Sequence, residues 1–399
     1  MPTRGIKVAA NEIVRDPRVL ECNDTGRKCW NWSIFPIIAL SCFIGVDLSQ
    51  PSKSGQKWKT AFSFLSLIIH AALTAHASVI IHGQLYQMAN IYFGEGGNHS
   101  RTFVWNIIID FVNFEVGCFI IHWMLFFVVR KKWRTLNKAF QCLSPLFDDE
   151  FYHRLRRLSF AGVAHAVLWI ICLSITGTIT SVSANTPFTL KLLTVTGTLL
   201  QFYPTLGIVL FTTVSYASSL SFQSITSKLN CNGHLQACNL SNSDVIVLKR
   251  YYVSACQAVD IINDCFGWLL LLVVPHLFIS EINVTFYWFG NLKKTASVSG
   301  FLFFVFQLVN IFVICISSDC IRVESDKVLK QLLRLRMKSE NNTYRKQVHE
   351  LILHLALTSP RISALGLFYV GKKLIPTMIG TTLTYYFILH QFRSLEEKP

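Results

Sequence analysis

Seven mostly apolar runs, at 61–82, 103–129, 159–182, 192–216, 265–284, 298–318 and 371–392, set the terms on which this chain can fold. A hydrocarbon layer about 30 Å thick is crossed by a helix of about 20 residues. Within lipid only helices and closed barrels satisfy their own backbone hydrogen bonds, and runs of this length select the helix. The sequence therefore predicts an all-α membrane protein with seven transmembrane helices. Charged residues are only 15% of the chain, against about 25% in soluble domains. A net charge of +15 would suggest nucleic acid in a soluble protein. Here the basic residues lie between apolar spans, where they report topology, and no nucleic-acid partner is expected.

One further apolar stretch, 30–48, is short, interrupted by Pro36 and ends at Asp47, so it reads as an interfacial or re-entrant helix. It follows the mixed-charge segment holding Arg4, Lys7, Glu12, Arg15, Asp16, Arg18 and Glu21, which is not the pattern of a cleavable signal peptide. Counting Lys and Arg fixes an orientation. Segments 1–60, 130–158, 217–264 and 319–355 hold 28, whereas the opposite side holds six: Arg101, Lys191, Lys293, Lys294, Arg393 and Lys398. By the positive-inside rule the N-terminus is cytoplasmic and the C-terminus extracellular. That is inverted relative to G-protein-coupled receptors. The outer loops 83–102, 183–191 and 285–297 contain no cysteine, and neither D-R-Y nor N-P-x-x-Y occurs where a rhodopsin-like receptor needs it.

Four regions follow: a cytoplasmic segment with its interfacial helix (1–60), spans one to six as a ligand-binding bundle (61–318), cytoplasmic helices (319–370), and a last helix with a short extracellular tail (371–399). In the third region Val328, Leu329, Leu332 and Leu333 alternate with Arg322, Asp326, Lys327 and Lys330, the composition of a helix that projects from the membrane and packs one face. A second helix is expected over Val348–Leu357, stopped at Ser359-Pro360. Residues 229–245, rich in Asn and Ser, read as a loop.

No metal site is expected. His349 and His354 are spaced one residue too far for H-E-x-x-H, His70, His76 and His82 do not share a helix face, and Cys231 and Cys238 match no zinc spacing. No cofactor motif or catalytic constellation is present either, so the chain is not expected to be an enzyme. Polar groups inside spans are costly and become the functional candidates. Asp110 and Asn113, which share an i, i+4, i+7 stripe with Asn106 on the second span, His165 and Trp169 on the third, and Tyr203 on the fourth form the candidate ligand pocket; interhelical hydrogen bonding is the competing role. In the seventh span, Gln391 lies about 28 Å above the Lys372-Lys373 pair if the run is helical. Thr384, Ile388 and Gln391 then share one stripe, with Phe392 and Tyr385 beside it, as a permeation path and its gate would require. The competing role is simple anchoring of the helix at the interface.

The last span reads Thr384-Tyr385-Tyr386-Phe387-Ile388-Leu389-His390-Gln391-Phe392. This T-Y-(five mostly apolar)-Q-F string, at the end of the seventh span of a chain near 400 residues, resembles the C-terminal signature of the arthropod gustatory receptors. Ala364-Leu365-Gly366-Leu367-Phe368-Tyr369 resembles the small-x-Gly-aromatic stretch that precedes that family's last helix. The resemblance, which extends to the insect odorant receptors, implies a tetrameric ligand-gated, non-selective cation channel in the plasma membrane of sensory neurons. It implies self-association, with or without other gustatory subunits, and small-molecule tastants bound among spans two, three, four and six. It also implies a last helix split into a cytoplasmic anchor part, 344–358, and a pore-lining part, 371–392. Many sugar-type members carry Glu after the T-Y pair; Tyr386 stands there, which leans toward bitter or orphan ligands. Two other classes remain: a secondary transporter, which would need a paired internal repeat, and an accessory subunit that binds no ligand.

Overall fold

The computed structural model describes residues 29–48, 64–83, 108–183, 200–234, 242–290, 298–338, 342–357 and 359–396, apart from single positions at 66, 73, 77, 80 and 110. The elements, in order, are α1 (Trp30–Phe43), α2 (Leu67–Gly83), α3 (Phe111–Leu146), α4 (Asp149–Ser183), α5 (Phe202–His234), α6 (Asn242–Gly290), α7 (Val298–Lys338), α8 (Asn342–Leu357), a two-stranded hairpin β1 (Ser363–Ala364) and β2 (Phe368–Tyr369), and α9 (Leu374–Glu396). Helices α3 to α7 are long and apolar enough to cross a bilayer. The shorter apolar helices α2 and α9 stand at the first and seventh positions of the series. The all-α, multi-span architecture read from the apolar runs is the one observed.

The helices outrun their apolar windows. α6 has 49 residues and α7 has 41, which at 1.5 Å per residue is about 60–75 Å, roughly twice a bilayer core. The apolar run at 298–318 and the charged segment after it are thus one uninterrupted helix. The loop expected over 229–245 is shorter than its composition suggests, because α5 continues to His234 and α6 begins at Asn242. Asn and Ser weaken a helix only slightly each, and the flanking helices carry through them.

α5 is the central post. Phe202, Leu206, Leu210, Phe211, Val214 and Phe222 are all essentially buried, and so are Ser215, Ser218 and Ser221. Small residues let neighbouring backbones approach closely. A Cβ on Gly162 of α4 would lie 2.6 Å from Val209 Cγ1 of α5, and one on Gly207 would lie 2.9 Å from Leu269 Cδ2 of α6. Because valine is stiff, Gly162→Ala is expected to push α4 off α5 and cost about 1–3 kcal/mol. Thermal unfolding of the purified variant should show the lowered midpoint.

α1 is built into this core on one face. Trp30 stacks on Phe140 of α3 at 4.2 Å, and its indole N–H donates to Asn137 Oδ1 at 2.9 Å. Ile34 and Ile37 are buried on the same side, while Phe35 and Phe43 are exposed. Arg156 of α4 lies over the Trp32 ring at 3.7 Å, so Trp32 is also held by a cation.

α8 buries Val348, Leu351 and Ile352, a single helical face, against α6 and α7. The hairpin that follows turns through Leu365 (φ 52°) and Gly366 (φ 77°), with Leu367 N donating to Ala364 O. Two consecutive positive φ values define a type I′ turn, the form whose twist suits a tight hairpin. The hairpin is fastened to α6 by Asn263, whose amide donates to Arg361 O at 2.8 Å and accepts from Ser363 N at 3.0 Å. Lys372 then pairs with Asp319 of α7 at 3.6 Å, fixing the start of α9.

Candidate ligand gap and last-helix stripe

The first candidate site lies among α3, α4, α5, α6 and α7. Phe114, Trp169, Gln201, Pro204, Thr205, His276, Leu277, Phe303, Gln307 and Asn310 surround a gap with about 220 Å³ of empty space, so narrow that a water-sized sphere finds no room. Trp169 is buried, with its ring 5.1 Å from Phe303 and 4.9 Å from Phe306. Its indole N–H donates to Gln201 O at 3.4 Å. His165 sits one turn away on α4 and its Nε2 lies 2.9 Å from Asn310 Oδ1, a position from which the imidazole N–H donates. α4 thus places both of its sequence candidates against α7.

Asn113 is next to this gap and acts as a clasp. Its amide donates to Ser280 Oγ at 2.9 Å and to His276 O at 3.3 Å, and its own carbonyl lies 3.1 Å from His276 Nδ1. Both groups are buried, so these bonds hold α3 to α6 in a medium where a lost partner is costly. The stripe Asn106, Asp110, Asn113 assumed α-helical spacing. Phe111–Gly117 is instead a π-helical stretch, and Leu125–Val129 is a second. Each such stretch widens the turn and rotates everything beyond it. Asn106 and Asp110 themselves lie outside the described residues.

Tyr203 points elsewhere. Its hydroxyl donates to Ile44 O at 3.1 Å, just past α1, and its ring meets His122 at 4.2 Å. His70 of α2 stacks on Phe126 at 3.6 Å and on His122 at 4.5 Å. Among the described residues no group of three or more His, Cys, Asp or Glu converges.

The gap residues that sequence reasoning missed include His276 and Phe303. His276 belongs to a continuous apolar run in α6 and Phe303 is one aromatic among many in α7. His276 is a titratable group inside the run 265–284, and that was the signal that could have found it; nothing local marked Phe303.

The second candidate site is α9. In the single chain its apolar surface is largely open: Ile379, Leu383, Tyr385, Phe387 and Ile388 are all exposed. One stripe differs from the rest. Thr377, Thr381, Thr384, Ile388 and Gln391 step by four, three, four and three residues, which keeps them on one helical face. The threonine hydroxyls donate back to Lys373 O, Thr377 O and Gly380 O, at 3.2, 2.8 and 2.9 Å. Each hydroxyl proton is thereby used within the helix, and the oxygen lone pairs face outward. Thr384, Tyr385, Ile388 and Gln391 are exposed, while the Phe392 side chain lies outside the described residues. Thr377 and Thr381 extend the stripe below the residues expected from sequence.

The profile of the family described as 7tm chemosensory receptor matches residues 31–396, nearly the whole chain. The chain belongs to the 7tm chemosensory receptor family. The match spans α1 to α9 and bears out the resemblance to the arthropod gustatory receptors seen in the last helix. It makes the protein a multi-pass membrane receptor, not an enzyme. A curated relative, the gustatory receptor for sugar taste 64a of Drosophila melanogaster, is 25% identical over 185 residues, 45% of this chain. The matched part spans only 38% of that relative's own length. Two solved structures share the fold: the insect olfactory receptor OR5 from Machilis hrabei in complex with eugenol, and the same receptor without it. Their TM-scores are 0.68 and 0.66 at 10% and 11% identity, covering 91% of this chain and 98% of theirs.

Proposed function

We propose that this chemosensory receptor is itself a ligand-gated, non-selective cation channel for small-molecule tastants, acting in the plasma membrane of sensory neurons. The observation that carries the reading is the α9 stripe. A helix that is apolar all round belongs in lipid, but a row of outward threonine oxygens ending in Gln391 is wasted there. Repeated around a symmetric ring of four subunits, the row becomes a wall of acceptors, which favours cations over anions. Ile388, Gln391 and Phe392 form the constriction in this reading, with Thr384 and Tyr385 below it.

The gap behind Trp169 is the ligand site of this reading. It is too narrow to hold a tastant as it stands, so binding must move side chains or helices. That differential affinity is what a ligand needs in order to shift a closed–open equilibrium. α6 and α7 run from the gap to the hairpin and to Asp319, which hold the start of α9, so a shift between them reaches the pore helix. Tyr386, where many sugar-type members carry Glu, favours a bitter or orphan ligand over a sugar, although the matched Drosophila relative serves sugar taste.

Expressing this chain alone and recording whole-cell currents tests the proposal. Agonist-evoked cation current should appear with no other subunit present. Uptake that never produces a channel-sized conductance would make it a transporter, and silence rescued by a second gustatory receptor would make it an accessory subunit.

Orientation has its own test. With a cytoplasmic N-terminus, the sequon Asn98-His99-Ser100 should carry glycan, Asn23, Asn31, Asn239 and Asn341 should stay bare on the inner side, and Asn283-Val284-Thr285 should stay bare because it is buried close to the membrane. An Asn98→Gln variant should lose the mobility shift produced by glycosidase treatment. Surface labelling of an N-terminal tag on intact cells would reverse the assignment.

A further inference from the structure

Glu281 is the least explained group in the bundle. It is 3% exposed, and neither carboxyl oxygen has a hydrogen-bond partner. Among the described residues no ion pair reaches it either. It lies four residues beyond Leu277, on the same face of α6 and about 6 Å further along the axis. Leu277 lines the gap, and Glu281 is the next residue beyond it on that face. Gln307, in the wall of that gap, also buries its Oε1 without a donor. Both groups are therefore buried acceptors in need of a donor, Glu281 beyond Leu277 and Gln307 in the wall.

A buried carboxyl with no partner is expensive in a membrane bundle and is kept where a partner arrives. The rest of the wall says what kind. Phe303 has Trp169 at 5.1 Å and Phe114 at 5.7 Å, a cluster of aromatic rings whose faces attract positive charge. Acceptors alone would suit a polyol. A carboxyl without a counter-ion beside aromatic faces suits a cation.

Taking the gap as the ligand site, we propose that it selects hydrophobic amines in their protonated form. The ammonium donates to Glu281, and the apolar body lies against Phe303 and Trp169. A neutral isostere loses the charge-assisted bond and the cation–π attraction together.

The test uses the full-length receptor in lipid nanodiscs and three probes: 4-phenylbutylamine, the neutral 4-phenylbutan-1-ol, and glucose. Equilibrium binding should favour the amine over the alcohol by about tenfold or more. Glu281→Gln should erase that preference while leaving the alcohol's Kd in place. If the alcohol or glucose binds the unaltered receptor as tightly as the amine, or if the amine does not bind, the proposal is overturned. That comparison needs no variant, so it stands even if Glu281→Gln fails to fold. Trp169→Leu separates this proposal from the reading beneath it. Weakened alcohol binding in Trp169→Leu with no amine preference removes only the amine selectivity. Probe affinities untouched by Trp169→Leu remove the gap as the ligand site, and the amine proposal falls with it.

Discussion

Channels carrying Ile388→Ser are expected to pass current with no agonist present. Ile388 is exposed on α9, on the same face as Thr384 and Gln391, so in a ring of four it faces its own copies across the axis. A closed gate of this kind holds by dewetting: the constriction is too narrow and apolar to stay filled with water. Removing apolar surface from one side chain is worth about 1 kcal/mol. Four copies make about 4 kcal/mol, and at 1.4 kcal/mol per tenfold that shifts the closed–open ratio by several hundredfold. Phe392→Ala should act in the same direction. Gln391→Glu adds a ring of negative charge and should raise divalent over monovalent permeability without opening the gate. Resting current and reversal potentials measure both effects. Unaltered leak in Ile388→Ser and Phe392→Ala, with unaltered permeability ratios in Gln391→Glu, would leave α9 as an anchor only.

The second large effect separates recognition from scaffolding inside the bundle. Trp169→Leu should reach the cell surface at near-normal levels and shift the agonist dose–response curve to the right by at least about tenfold. Leucine fills part of the volume and keeps the apolar contact with Phe303 and Phe306, but it removes the ring face that a ligand would meet. Asn113→Ala should do the opposite. It strips the amide bonds that join α3 to Ser280 Oγ and the His276 carbonyl, leaving two buried acceptors short of a donor while the His276 ring keeps the Asn113 backbone carbonyl, at a cost of about 1–3 kcal/mol for each partner left unpaired. Surface labelling should therefore fall for Asn113→Ala, whereas whatever receptor remains keeps its agonist sensitivity. For Asp110→Asn, a shifted dose–response curve at normal surface level assigns a ligand role, and lost surface protein assigns a scaffolding one. A normal dose–response curve for Trp169→Leu would move the ligand out of this gap.

Much of this protein was legible from local pattern. The bilayer imposes a length on any helix that crosses it, so the apolar runs marked the spans, and the charge and periodicity of 319–357 marked helices that continue beyond the apolar runs. The string from Thr384 to Phe392 was equally local, and it singled out the family that the whole-chain comparison bears out. His165 and Trp169 stood out as polar or amphipathic groups within an apolar run, and the structure sets both against α7.

Other features are decided by which surfaces meet. Tyr203 read as a pocket residue on its polarity, yet its hydroxyl is used by Ile44 O, a partner 159 residues away in sequence. The π-helical stretch at Phe111–Gly117 altered the angular spacing on which the Asn113 stripe was drawn, and no residue pattern announced it. Glu281 was legible as a carboxylate inside the run 265–284, but only the packing of α6 leaves it buried and unpaired. His276 and Phe303 acquire meaning from their neighbours on other helices. Hydropathy and length act along one helix at a time and can be read from the chain, whereas burial, pairing and the shape of a gap are properties of several helices together and exist only once they are packed.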